Sequence, residues 1–184
     1  MNKLMFKYGS VQQSVSKACK ISFLFAGVFS LAIILSDAWN LITPKVVVQR
    51  WVAVALFATI TALVWYAASF NTKNQFFYQL LLLLQIIVYV LLITYVVYSQ
   101  RGIASRAVAL YAIPIVLSAI VKKQAMIYLT AIFCSIAYAI SSIQYFYANY
   151  GQAYKAELYV ELGFFCATFF VIAAISSVIA GAKR

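Results

Sequence analysis

The chain contains no histidine, and only three of its 184 residues are acidic. The first absence removes the side chain that most often moves protons or holds metal near neutral pH, and with it any phospho-accepting histidine. The second leaves Asp37, Glu157 and Glu161 as the whole acidic complement. Cys19, Cys134 and Cys166 show no metal-ligand spacing, and two of them fall within apolar runs. There is no glycine-rich phosphate loop, and no carboxylate stands beside a nucleophile in the middle of an apolar run. These gaps exclude the common routes to catalysis, so no enzyme activity, cofactor or metal is expected. Charged residues make up 9% of the chain, too few to cover a soluble core of this size.

What is there in quantity is apolar sequence: 66% of the residues are hydrophobic and the mean hydropathy is +0.98. This is the composition of an integral membrane protein. Runs of about 20 apolar residues, each roughly 30 Å long as a helix, are expected to span the bilayer. Six are expected, at about 21–41, 48–70, 76–98, 105–121, 124–146 and 157–180, giving an all-α, six-transmembrane-helix bundle as one domain, 21–182. No internal repeat is visible. The net charge of +11 would point to nucleic acid in a soluble chain. Here the bases stand singly or in pairs between apolar runs, so they read as topology determinants and lipid-headgroup contacts, with no nucleic acid as partner.

Ahead of the first run lies a basic segment, 1–20, in which Leu4, Tyr8, Val11, Val15 and Ala18 recur at helical spacing, with Lys3, Lys7 and Lys17 off that stripe. It reads as an amphipathic helix in the membrane interface or as a frayed basic terminus. The apolar run that follows is too long for a secretory signal, and no small-residue cleavage pattern follows it, so Met1 onward is expected to be retained. Asp37 and Asn40 flank Trp39 near the end of the first span, at headgroup level, and Pro44 is expected to end that helix. The most apolar part of the third run, LLLLLQIIVYVLL, holds a single amide, Gln85. A buried amide in hydrocarbon finds a partner on another helix, which reads as an interhelical polar contact, with a ligand contact as the alternative.

Between Arg106 and Lys122 lie 15 residues, roughly 22 Å as α-helix against a hydrocarbon core of about 30 Å. This fourth span crosses only if Arg106 snorkels one way and Lys122-Lys123 the other. Pro114 in its middle removes one backbone hydrogen bond and is expected to bend it, leaving the Leu110 carbonyl to a neighbour or water. It is a possible hinge, and also a common feature of purely structural membrane helices. The fifth span carries Thr130, Ser135, Ser141 and Ser142 with several alanines, small residues that let helices approach closely.

The stretch around this span holds a Gly-Ile-x-Ser element (Gly102, Ile103, Ser105), then Leu110, Tyr111, Ile113 and Pro114, the basic corner at Lys122, and Tyr138. In these residues the chain resembles the six-transmembrane-helix N-terminal sensor domain of bacterial histidine kinases, over about a fifth of its length. The resemblance implies a membrane input domain of a two-component system. It departs from the family in having no histidine and no ATP-binding module, so what it implies is an input without its output.

Orientation follows from the bases. With six spans, Lys3, Lys7, Lys17, Lys20, Lys73, Lys122, Lys123, Lys183 and Arg184 share one side, and Lys45, Arg50, Arg101, Arg106 and Lys155 the other. The positive-inside rule then puts both termini in the cytoplasm and the protein in the plasma (inner) membrane as a multi-pass protein. All three acids fall on the outer side. Asp37, Arg101, Arg106, Glu157 and Glu161 are therefore expected to converge there as a possible polar site. Glu157 and Glu161 share a helix face, where they complement the N-terminal dipole or form a cation or ligand site. Three functions remain open at this point: a sensory or interaction module, a small transporter or channel acting as an oligomer, and an accessory subunit of a larger membrane complex. The partners expected are the lipid bilayer and either a second copy or another membrane protein.

Overall fold

A computed structural model describes residues 2–70, 74–100, 102, 105–121, 123–151 and 156–181, without the side chains of 2–11, 156 and 157. Every regular element among these residues is helical. Five helices are long and apolar enough to cross a membrane, and a shorter apolar element covers Arg106–Val121. The chain is a multi-pass helical membrane protein by that measure. It divides into two compact units, Met1–Val88 and Tyr89–Arg184.

In the first unit, helix α1 runs unbroken through Asn2–Ala38. The basic segment and the first span are one helix, because no proline or glycine interrupts the chain between Ser10 and Ala26. Its end is a Schellman turn. The Asn40 N–H donates to the Asp37 carbonyl (2.9 Å) and the Leu41 N–H to the Ser36 carbonyl (2.9 Å), with Asn40 in the left-handed region at φ 53°. Pro44 therefore does not stop α1 but opens α2, Pro44–Ser69, behind an extended Thr43, the position where its missing N–H leaves nothing unpaired.

Helices α1 and α2 pack against each other. The buried residues of α2 are Val54, Phe57, Thr61, Val64 and Ala68, alternating steps of three and four. Those of α1 from Val15 through Cys19, Ser22, Ala26 and Ile33 keep a similar repeat, the spacing of a left-handed seam. Lipid is as apolar as either surface, so close packing rather than hydrophobicity selects these faces. Among the buried residues of α1, Ala18, Cys19, Ser22 and Ala26 are small, which lets the two helices approach closely, and Phe25 meets Phe57 edge-on at 5.9 Å. The third helix, α3, is Gln75–Ser99, and its first half closes this unit with the Tyr78 hydroxyl donating to the Phe70 carbonyl (2.8 Å).

The second unit holds the rest of α3, a segmented element, α5 (Gln124–Tyr150) and α6 (Ala156–Gly181). The segmented element is a six-residue 3-10 turn, Arg106–Tyr111, then the seven-residue α4, Ala112–Ser118, then a three-residue 3-10 turn, Ala119–Val121. Ser105 starts it by accepting the Ala107 N–H at 3.1 Å. Pro114 is buried at the third position of α4. It offers no N–H to the Leu110 carbonyl, and the Ala112 N–H points instead to the carbonyls of Ala109 and Leu110, tightening the turn ahead of the proline. At about 2.0 Å per 3-10 residue and 1.5 Å per α residue, the sixteen residues reach about 28 Å, against about 24 Å as uniform α-helix. α4 packs on α5 and α6, which also pack on each other. Gly151 caps α5 in the left-handed region at φ 62°.

Candidate functional site

Polar side chains inside an apolar bundle need partners, and most hydroxyls here donate back along their own helix. Ser22 donates to the Ala18 carbonyl (2.8 Å), Thr94 to Val90 (2.6 Å) and Thr130 to Met126 (2.7 Å), as such residues do in apolar helices. That spends their protons and leaves their oxygens free to accept.

Gln85 uses this in the first unit. Its Nε2 donates to Ser22 Oγ on α1 (2.9 Å) and to Thr61 Oγ1 on α2 (3.0 Å), and all three residues are fully buried. Because the Ser22 proton already goes to Ala18, Ser22 can only accept, which fixes the amide orientation. Among the described residues Oε1 is left buried without a hydrogen bond. The node is neutral and holds no group that titrates in the physiological range, so it joins three helices and moves no protons. Gln85→Leu gives up two interhelical bonds of about 0.6 kcal/mol each in a bilayer. It also removes an unsatisfied carbonyl oxygen that costs about 1–3 kcal/mol when buried. Its stability is expected within about 1 kcal/mol of the parent by detergent-denaturation titration. A loss beyond about 2 kcal/mol would show that Oε1 has a partner.

In the second unit the residues that carry the sensor-domain resemblance have local roles. Gly102 takes φ 61°, and a Cβ there would sit 3.3 Å from Tyr145 Cβ. The Tyr111 hydroxyl shares a hydrogen bond with Thr94 Oγ1 (2.8 Å). Tyr111 and Tyr138 meet edge-on at 6.2 Å, and Phe169 of α6 packs on both, at 5.4 and 6.0 Å. Leu110 and Ile113 are half-buried; Ile103 and Lys122 lie outside the described residues.

Of the charged residues expected at an outer site, Asp37, Arg106 and Glu161 have described side chains. Asp37 is exposed and belongs to the first unit, at the Schellman turn. Arg106 is exposed where the 3-10 turn begins, and Glu161 is exposed on α6, one turn ahead of Phe165, which packs on Tyr138 at 5.6 Å. No hydrogen bond or ion pair joins Arg106 to Glu161 among the described residues. Arg101 and the side chain of Glu157 lie outside them, as do the terminal Lys183 and Arg184 and the stripe side chains Leu4, Tyr8 and Val11. No three histidine, cysteine or carboxylate side chains come together among the described residues as a metal site requires.

Sequence reasoning missed one feature. A cleft of about 290 Å³ opens between the turn of α1 at Gln12–Ser16 and the end of α2, lined by Gln12, Gln13, Ser16, Trp65, Ala68 and Ser69. Its signal in the sequence was two adjacent glutamines and a serine just ahead of Lys17 and Lys20, the last bases before the first apolar run. No protein-family model, curated protein or solved structure matches this chain.

Proposed function

We propose that the chain is a non-catalytic, membrane-embedded sensory or interaction module that crosses the bilayer six times with both ends in the cytoplasm, like the input domains of two-component sensor kinases. The observation that carries this reading is the segmented fourth element. At about 28 Å it comes close to a hydrocarbon core of about 30 Å that a uniform α-helix of the same residues would miss by about 6 Å. Bases stand at both ends, Arg106 and the Lys122-Lys123 pair. Its 3-10 and α stretches use the same backbone groups with partners one residue apart, so the element changes length by about 0.5 Å per residue converted, without breaking the chain of hydrogen bonds. An under-length crossing element is the part of a bundle most affected by bilayer thickness. A second copy or another membrane protein would take the signal onward.

Two measurements test this. In a background lacking Cys19, Cys134 and Cys166, single cysteines at Asn2, Asn40, Gly151 and Lys183 are treated with a membrane-impermeant maleimide on intact cells. Labelling at 40 and 151 with protection at 2 and 183 is expected. Labelling at 183 with protection at 2 would mean five crossings. Amide hydrogen exchange over 106–121 is then compared in vesicles of short-chain and long-chain phospholipid. A change in protection confined to this element is expected, and identical protection in both would leave the sensory reading without its moving part.

A further inference from the structure

The cleft in the first unit lies at the open end of the α1–α2 hairpin, where Gln12 Nε2 donates to the Ala68 carbonyl at 2.9 Å. That bond ties the two helices together and satisfies one carbonyl of the last turn of α2, which has no intrahelical donor. The Ser69 hydroxyl donates to the Tyr66 carbonyl at 2.6 Å. A polar strap therefore joins the two helices beside the cleft.

Its depth follows from the bases beside it: Lys17 and Lys20 lie within two turns of Gln13 and Ser16 along α1, and lysines at the edge of a span carry their ammonium groups to the headgroup level. Trp65, half exposed and edge-on to Phe23 at 6.2 Å, is the residue type that settles at that level. The charge there is of one sign. Lys17 and Lys20 are exposed on α1 just beyond the cleft, and the one acid in the sequence of this unit, Asp37, is about 30 Å away along the same helix. That is several Debye lengths at physiological salt, so nothing in the unit compensates the lysines. Away from the headgroup level, the hairpin exposes Leu24, Val28, Leu56 and Leu63, an apolar surface suited to acyl chains.

We propose that this cleft seats the headgroup of an anionic phospholipid. Gln13 and Ser16 donate to the phosphate oxygens, Lys17 and Lys20 supply the opposing charge, and the acyl chains lie along the apolar outer face of the hairpin. The site is independent of how many times the chain crosses the membrane, and of what the fourth element does.

The experiment is native mass spectrometry of the full chain, released from detergent with phosphatidylglycerol or phosphatidylcholine. Wild type is expected to retain phosphatidylglycerol preferentially, with retention falling as salt rises. Two lysines at an anionic lipid surface account for about tenfold or more in affinity. Lys17→Gln/Lys20→Gln should lose about that much, while the charge-matched Lys45→Gln/Lys123→Gln keeps wild-type retention. Ser16→Trp, which fills the cleft without changing charge, should also lose the preference; if it fails to fold, the lysine pair alone decides. Equal retention of both lipids by wild type would overturn the proposal, as would equal losses in the two lysine pairs. Displacement of the lipid by inorganic phosphate at matched concentration would show that the occupant is a soluble anion, which also overturns it.

Discussion

Tyr138→Ala is expected to lower stability by about 2–3 kcal/mol, and Tyr138→Phe to leave it unchanged or raise it by up to about 1 kcal/mol. Tyr138 is fully buried and meets Tyr111, Phe165 and Phe169 at centroid distances of 6.2, 5.6 and 6.0 Å. Aromatic-to-alanine changes in soluble cores cost about 3–5 kcal/mol, part of it transfer free energy and part the cavity left behind. In a bilayer the transfer part largely disappears because lipid tails are as apolar as the core. What remains is the cavity together with three aromatic contacts, each worth about 0.5–1.5 kcal/mol. The hydroxyl contributes nothing comparable. Among the described residues neither Tyr138 Oη nor the neighbouring Ser142 Oγ has a hydrogen-bond partner within bonding geometry. Detergent-denaturation titration of the purified chain measures both variants. A Phe variant that loses more than about 1 kcal/mol would show that the hydroxyl is satisfied after all.

Gly102→Val should cost about 3 kcal/mol, and Gly102→Ala about 1–2 kcal/mol, for two separable reasons. At φ 61° any Cβ crowds the backbone, and a β-branched one does so most. The same Cβ would lie 3.3 Å from Tyr145 Cβ and 3.4 Å from its ring, and that base of a side chain cannot swing away. Tyr145 is itself held edge-on by Tyr98 at 6.0 Å. Tyr145→Ala in the Gly102→Ala background relieves the steric part and leaves the backbone part. A double-mutant cycle on thermal stability should therefore show positive coupling of about 0.5–1 kcal/mol. Additive effects would mean that the two residues do not meet.

Much of the architecture was readable from the chain. The run expected at 124–146 is α5, Gln124–Tyr150, and the run expected at 76–98 is α3, Gln75–Ser99, because unbroken apolar stretches bounded by polar turns leave the backbone no alternative in lipid. Ends were less legible. Asn40 in the left-handed region stops α1 before Pro44 is reached, so the proline serves as a start signal rather than a stop. Faces were barely legible. Val54, Phe57 and Val64 are buried while Val52, Leu56 and Leu63 are exposed, and no difference in hydrophobicity separates the two sets. The partners of Gln85 were not legible either. Ser22 lies 63 residues away, and only the three-dimensional packing brings it within reach. The 3-10 stretches have the composition of ordinary apolar helix, so the segmentation is a property of the packed element and not of its residues taken singly.

That segmentation has an angular side. A 3-10 residue advances about 120° around the axis and an α residue about 100°, so each residue that converts turns everything after it by about 20°. If Arg106–Tyr111 became α-helical, the element would shorten by about 3 Å and α4 would rotate by about 120°. Ile115, now fully buried, would leave the side of α4 that packs on α5 and α6. A shift along the membrane normal would thus reach those two helices as a twist.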